Sequence, residues 1–168
     1  MRKNVLYLLG LIALVAADQF TKFYILKQPS YDGLVLIPGV LKIIKHQNYG
    51  IIANVPLPMW LILVATLIVM AFILVNLKRA IAKSSSGRAV ALTLLLAGAF
   101  GNLIDRLRYD FVFDWILLFG QSAINLADIF IAIGLLWYLL IIKREQRSTK
   151  IPACRQAGES YTKYTNNI

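Results

Sequence analysis

Four long runs of apolar residues constrain the fold of this chain more than any other feature of its sequence. They cover about residues 5–25, 57–77, 88–105 and 124–142. A membrane-spanning helix needs about 20 residues, since each residue advances about 1.5 Å through a hydrocarbon core of about 30 Å. With 59% hydrophobic residues and a mean hydropathy of +0.68, the chain is too apolar for an ordinary soluble domain. The sequence predicts an all-α membrane protein with four transmembrane helices in a single domain, residues 1–147.

The first apolar run has a cleaved signal peptide as its alternative interpretation, because Arg2 and Lys3 provide a basic start. A secretory peptide has an apolar stretch of about 7–15 residues that ends at a cleavage site. Here Asp18 is followed by Lys22 and by further apolar residues. A retained helix is therefore favoured.

The segment between the first two spans, residues 27–56, contains two stretches rich in β-forming residues, 33–37 and 40–45. A Pro38-Gly39 turn separates them. We expect a small β-rich extracytoplasmic segment lying on the membrane surface, with a simple amphipathic linker as the alternative. Residues 148–168 are polar and lack apolar periodicity, which predicts a disordered cytoplasmic tail. The tail holds Cys154, the single cysteine, so no disulfide framework is expected.

The distribution of lysine and arginine predicts the orientation. With four spans, the two termini and the loop between the second and third spans share one side and carry 12 basic residues, against six on the other side. Both termini are therefore expected in the cytoplasm, and all six aspartates face outward. The net charge of +10 follows from this topology and from the anionic inner leaflet, so no nucleic-acid partner is expected.

Carboxylates and amides recur at the outer ends of these spans, where a charge is costly. An acid near the centre of a membrane helix costs roughly 2.5–3.5 kcal/mol, so such groups usually serve chemistry or transport. Pairs three or four residues apart share a helix face. The polar residues are Asp18 and Lys22 in the first span, Asn102 and Asp105 in the third, Asp114 in the following connection, and Asn125 and Asp128 in the fourth. They predict a polar site facing one membrane surface.

Several chemistries fit these residues poorly. The lone histidine, His46, and the lone cysteine do not suggest a zinc site or an activated nucleophile. An oxygen-ligand site for magnesium or calcium is an alternative, but we expect neither metal nor cofactor. Two carboxylates that share one proton can instead activate water, as in aspartic proteolysis. Asp114 and Asp128 are the preferred pair, although spacing alone leaves Asp105 as an equal competitor or as an ion pair with Arg106.

Four segments resemble the motifs of the lipoprotein signal peptidases (signal peptidase II). Residues 18–22 are similar to D-Q-x-T-K, 101–106 to G-N-x-x-D-R, 112–115 to V-x-D-F and 124–128 to F-N-x-A-D. Order and spacing agree across roughly residues 5 to 142. The resemblance implies that Asp114 and Asp128 are catalytic. It implies supporting or substrate-positioning roles for a further set: Asp18, Lys22, Asn48, Gly50, Asn102, Asp105, Arg106 and Asn125.

The resemblance also implies the reaction and its partners. The expected substrate is a prolipoprotein in the bacterial inner membrane that is cleaved just before its diacylglyceryl-modified cysteine. Inhibition by globomycin is expected, with membrane lipid as a further partner and a monomeric enzyme. A small proton or cation carrier that uses intramembrane carboxylates is the alternative function.

The chain departs from the family pattern at three places. Asn48 and Gly50 are kept, but the bulky pair Ile51 and Ile52 in Ile51-Ile52-Ala53-Asn54 replaces small residues. Trp115 and Ile124 replace phenylalanines.

Overall fold

Four helices form the framework of the protein. We describe it from a computed structural model, which covers the backbone of residues 2–50 and 57–165 and the side chains of residues 4–50 and 57–147. The helices are α1 (Arg2–Lys27), α2 (Met59–Ala82), α3 (Ser86–Tyr109) and α4 (Leu126–Thr165). Each contains a stretch long and apolar enough to cross a membrane: Asn4–Lys27, Met59–Ala82, Ser86–Tyr109 and Leu126–Arg147. The predicted four-helix membrane architecture is confirmed.

The helix ends differ from the predicted spans in an informative way. α2 and α3 continue past their apolar runs through residues such as Arg79 and Arg108. Basic side chains are good helix formers and can extend toward water. The fourth helix begins at Leu126 and not at residue 124, because Asn125 caps it. The backbone of α4 continues to Thr165, which differs from the disorder predicted from residue 148.

A four-stranded antiparallel sheet completes the fold. The first two strands, β1 (Val35–Ile37) and β2 (Leu41–Asn48), confirm the β-rich segment predicted around the Pro38-Gly39 turn. The next two, β3 (Val112–Leu118) and β4 (Ser122–Ile124), lie in the connection between α3 and α4, where no strands were predicted. The sheet order is β1-β2-β3-β4. The sheet thus joins the α1–α2 connection to the α3–α4 connection.

α3 is the central helix of the bundle and packs against α1, α2 and α4. In its most apolar stretch 56% of the residues are buried, against 6–22% in the other three helices. The apolar core lies mainly between α2 and α3: Met70, Ile73, Leu77, Ala80, Ala89, Leu92, Leu96 and Leu103. The outward faces of α1, α2 and α4 expose large apolar side chains, as lipid-facing helices do.

Two glycines of α3 allow α4 and α1 to approach closely. A Cβ atom at Gly98 would collide with the backbone carbonyl of Ala127. A Cβ atom at Gly101 would lie 2.5 Å from Asp18 Oδ2 and 3.2 Å from Ala127 Cβ. Small residues serve such close packing in membranes. Here the packing brings the start of α4 next to the C-terminal half of α1.

Candidate active site

The first turn of α4 fixes Asp128. Asn125 precedes the helix, and its Oδ1 accepts the backbone N–H of Asp128 at 3.0 Å. In return, Asp128 Oδ2 accepts the backbone N–H of Asn125 at 3.1 Å. This reciprocal pair is a capping box, and it satisfies two of the amide groups that a helix start leaves free. The Asp128 side chain is half-buried.

Asp114 lies in β3 and is almost fully enclosed, with 1% of its surface exposed. Its Oδ1 accepts Nδ2 of Asn125 at 2.7 Å, and its Oδ2 accepts Nδ2 of Asn48 at 3.0 Å. Asn48 reaches it because β2 and β3 are neighbours in the sheet, with Asn48 opposite Val112. Each carboxylate oxygen of Asp114 therefore has one neutral amide donor.

Asn102 connects the two carboxylates through α3. Its Nδ2 donates to Asp128 Oδ1 at 2.8 Å, and its Oδ1 accepts Nδ2 of Asn125 at 3.1 Å. Asn125 in turn donates to Asp114. The two acids are thus held by a shared pair of asparagines. Within the described residues neither acid takes part in a salt bridge.

Burial raises the pKa of Asp114 from 3.8 to about 6. Loss of solvation is the largest cause, and the negative charge of Asp128 raises the pKa further. The amide donors of Asn48 and Asn125 act in the opposite direction and offset part of the rise. A carboxyl that titrates near neutral pH can hold a proton and return it, which is the property of a general acid.

A second carboxylate pair lies beside the first and shares one lysine. Lys22 Nζ is 2.8 Å from Asp18 Oδ2 and 2.9 Å from Asp105 Oδ2. All three side chains are at most 3% exposed. Lys22 also donates to Asn102 Oδ1 at 3.3 Å. We call Asp18, Lys22 and Asp105 the ionic cluster. The predicted ion pair of Asp105 with Arg106 is not found in the described structure, where the salt bridge of Asp105 is to Lys22.

The ionic cluster holds the backbone next to each of the two acids. Asp18 Oδ1 accepts the backbone N–H of Ala127 at 2.9 Å, one residue before Asp128. Asp105 Oδ2 accepts the backbone N–H of Phe113 at 3.1 Å, one residue before Asp114. One buried lysine therefore fixes the two segments that carry the candidate acids.

Arg106 and Gly50 support the site from the sheet side. Arg106 Nη2 donates to the carbonyl oxygen of Gly50 at 3.3 Å, and the N–H of Gly50 donates to Asn48 Oδ1 at 3.0 Å. Asn48 then donates to Asp114. Hydrogen bonds and ion pairs thus join all ten residues that the sequence singled out. The unusual stretch Ile51-Ile52-Ala53-Asn54 lies outside the described residues.

Gln19 lies in the first motif, but no role was predicted for it from the sequence. Its Nε2 lies within hydrogen-bond distance of Asp105 Oδ1 at 2.9 Å, Gly101 O at 3.1 Å and Asp18 Oδ2 at 3.2 Å. The signal that could have revealed it is its position between Asp18 and Lys22 in the first motif.

The polar site offers little to a metal ion. Among the described residues, no group of three or more His, Cys, Asp or Glu side chains could hold one. The lone histidine, His46, lies in β2 opposite Asp114. The arrangement is best suited to proton transfer between two carboxyls and water.

Comparisons with known proteins agree on one family. The family model described as signal peptidase (SPase) II matches residues 11–144. The lipoprotein signal peptidase of Streptococcus pyogenes serotype M1 is 32% identical over 86% of this chain and 97% of its own length. That of Shouchella clausii is 34% identical over 86% of this chain and 99% of its own length.

A solved structure extends the agreement to the fold. A bacterial membrane enzyme determined by the in meso method at 2.3 Å resolution superposes with a TM-score of 0.72 and 28% identity, over 83% of this chain and 88% of the other. A second, determined by the same method at 1.9 Å, has a TM-score of 0.68 and 29% identity. The chain therefore belongs to the signal peptidase II family and is a multi-pass bacterial membrane protease.

Proposed function

We propose that this protease removes signal peptides from bacterial prolipoproteins by an aspartyl mechanism, with Asp114 and Asp128 as the catalytic pair. One observation carries the proposal. Both acids are held by neutral amides of Asn102 and Asn125, whereas Asp18 and Asp105 share the cation of Lys22. In this proposal the pair without a bound cation exchanges protons with water and substrate.

The surroundings of the two acids support different roles. Asp114 is almost fully enclosed and has a raised pKa, so in this proposal it supplies the proton. Asp128 is half-buried and more open to water, so it acts as the base. Two carboxyls in such different surroundings can divide the acid and base roles between them.

The reaction then needs one water molecule and no covalent intermediate. The oxygen of the water attacks the scissile carbonyl carbon while Asp128 takes a proton from that water. Asp114 protonates the carbonyl oxygen in the same step. In the collapse of the tetrahedral diol, Asp128 passes its proton to the amide nitrogen and the C–N bond breaks. Asp114 recovers a proton from the hydroxyl group as the new carboxyl product forms. Both side chains return to their starting protonation states.

Asp105 is the competitor that the contacts argue against. Its Oδ2 lies 2.9 Å from Lys22 and accepts the backbone N–H of Phe113, and its Oδ1 accepts a hydrogen bond from Gln19. Asp114 is as deeply buried, but it is held by the neutral amides of Asn48 and Asn125 and not by a cation, and this difference favours Asp114. The role of Asp105 in this proposal is to position β3.

The lipid part of the substrate explains how the peptide is held. A diacylglyceryl group anchors the cysteine in the bilayer, and cleavage just before that cysteine places the scissile bond at the level of the two acids. Binding energy from the remote lipid can be used to position the reacting bond. The bias of basic residues toward the termini favours both termini in the cytoplasm and the site near the outer face. A monomer suffices, since one chain supplies both acids.

The test is cleavage of a lipidated precursor by the full-length protein in membranes. Asp114→Asn and Asp128→Asn should each lower the cleavage rate by about 10²–10⁴-fold, the usual contribution of acid–base catalysis. Asp110→Asn is the matched control. Asp110 is exposed at the end of α3 with a φ of 62°, a conformation that asparagine also adopts. Near-normal cleavage by either of the first two variants would refute the dyad.

Two further arms separate the mechanism from its alternatives. EDTA should leave the cleavage rate unchanged. Loss of cleavage in EDTA would point to a metal-dependent hydrolase. Globomycin should stop cleavage. Cation flux into vesicles that disappears in the same two variants, with no precursor cleaved by the wild type, would support the carrier function instead.

A further inference from the structure

A groove on α4 lies at the end of the bundle opposite the two acids. It has a volume of about 510 Å³ and is lined by Trp137, Leu140, Ile141, Lys143, Arg144 and Arg147. We call it the basic groove. Arg144 follows Asp128 by 16 residues, which corresponds to roughly 24 Å along a helix. The groove is therefore separate from the catalytic site by most of a membrane thickness.

The lining changes from apolar to basic along the helix axis. Trp137, Leu140, Ile141 and Arg144 follow the spacing that places residues on one helix face. The first three belong to the apolar run of residues 124–142, and the cations follow within the next two turns, at the end of the same candidate span. The six residue steps from Ile141 to Arg147 rise roughly 9 Å, close to the depth of a headgroup layer.

The charge of the basic groove is not neutralised from within its own stretch. Glu145 is the only acid between residues 137 and 147. It forms a salt bridge with Arg88 at the start of α3 and does not line the groove. The described lining therefore combines three cations with three apolar side chains, of which Trp137 and Leu140 are exposed.

We propose that the basic groove binds one anionic phospholipid, with its phosphate against Arg144 and Arg147 and an acyl chain along Trp137 and Leu140. Charge complementarity and the order of apolar and basic residues select this occupant. Basic pockets beside membrane helices are typical binding sites for anionic headgroups. The inference does not depend on the proposed catalytic mechanism, because it concerns a different end of the protein.

The alternative explanation of these cations is general attraction to an anionic membrane surface, and α2 provides the matched control. Lys78 and Arg79 are two adjacent, exposed cations at the end of α2 that do not line the groove. Arg144→Gln/Arg147→Gln and Lys78→Gln/Arg79→Gln each remove two positive charges from exposed positions. The two double variants therefore differ in the site that they affect and not in net charge.

The experiment measures lipid binding to the full-length protein in detergent micelles by native mass spectrometry. The probes are dioleoyl phosphatidylglycerol and, as the neutral comparison, dioleoyl phosphatidylcholine with the same chains. The wild type should prefer phosphatidylglycerol. Arg144→Gln/Arg147→Gln should weaken its binding by about 30-fold, at roughly fivefold per cation. Lys78→Gln/Arg79→Gln should stay within about threefold of the wild type, a margin below the effect of one cation.

Three outcomes would overturn the proposal. Equal losses in the two double variants would show general electrostatic attraction. A wild type without preference for phosphatidylglycerol would show that the groove has another occupant, such as the residues after Arg147. Displacement of the lipid by glycerol phosphate at matched concentration would show a phosphate site that does not use the acyl chain. Cleavage activity serves as a folding control, since no residue in either variant belongs to the catalytic site.

Discussion

The raised pKa of Asp114 predicts that Asp114→Asn makes the stability of the protein less dependent on pH. The pKa of this carboxyl is about 6 in the folded protein, against 3.8 for the solvent-exposed group in an unfolded chain. Between these values the folded state binds more protons than the unfolded state, so the free energy of unfolding falls as pH rises. The stabilisation is fully present below the unfolded pKa and is lost as pH rises through the folded pKa.

The size of this effect follows from the shift. A rise from 3.8 to about 6 corresponds to about 3 kcal/mol, at about 1.4 kcal/mol per pKa unit. Roughly 2 kcal/mol of it falls between about pH 4 and about pH 8. The Asp114→Asn variant also has a lower free energy of unfolding than the wild type at every pH. Asparagine has one acceptor oxygen for the two amide donors of Asn48 and Asn125, and the unmatched donor costs about 1–3 kcal/mol.

The slope with pH is therefore the readout, and not the absolute stability. Thermal unfolding of purified protein in a mild detergent, followed by tryptophan fluorescence, gives the midpoint at each pH. On rising from about pH 4 to about pH 8, the wild type should lose roughly 4–8 °C more than Asp114→Asn. Asp110→Asn should follow the wild type. Parallel curves for Asp114→Asn and the wild type would refute the idea that Asp114 is a strained, desolvated acid.

Two further predictions concern the packing that positions the acids. Lys22→Met should destabilise the protein by about 3–5 kcal/mol, because it leaves two buried carboxylates without their cation. The control is Lys27→Met on the exposed face of the same helix, which should cost under about 1 kcal/mol. Equal midpoints for the two variants in detergent unfolding would contradict this. Gly101→Ala should lower the stability by about 1–3 kcal/mol and slow cleavage, because its methyl group would press on Asp18. Gly10→Ala has no described atom within 4 Å of the new methyl group, so it should leave stability and cleavage rate unchanged. A Gly101→Ala variant with normal melting and cleavage would show that α1 and α3 can separate without loss.

The transmembrane part of the fold could be predicted because its signal is local. A run of apolar residues reports a membrane span by itself, and the structure places all four. The strand Val112–Leu118 was missed for the opposite reason. Six apolar and aromatic residues around one acid do not reveal a strand until the partner strand, from a connection about 70 residues earlier, is placed beside them.

The site could be predicted as a set of residues but not as a set of bonds. The spacing of Asn125 and Asp128 was interpreted as two side chains on one helix face. The structure shows a capping box in which each binds the backbone of the other. The bond from Ala127 to Asp18 joins residues 109 positions apart, and no sequence pattern encodes it. The resemblance to known motifs predicted which residues belong to the candidate site, and periodicity alone could not.

The division of the four buried or half-buried acids into two pairs gives the site its chemistry. One membrane-embedded lysine can form salt bridges with two carboxylates, and Lys22 does so with Asp18 and Asp105. Those two acids also accept the backbone amides beside the other two, so their burial fixes the position of the proposed pair. In the described part of the structure, Asp114 and Asp128 accept hydrogen bonds from neutral amides, which orient a carboxylate without adding a positive charge beside it. A lysine placed between Asp114 and Asp128 would hold both in the ionised form and so prevent the proton exchange that the proposed mechanism requires.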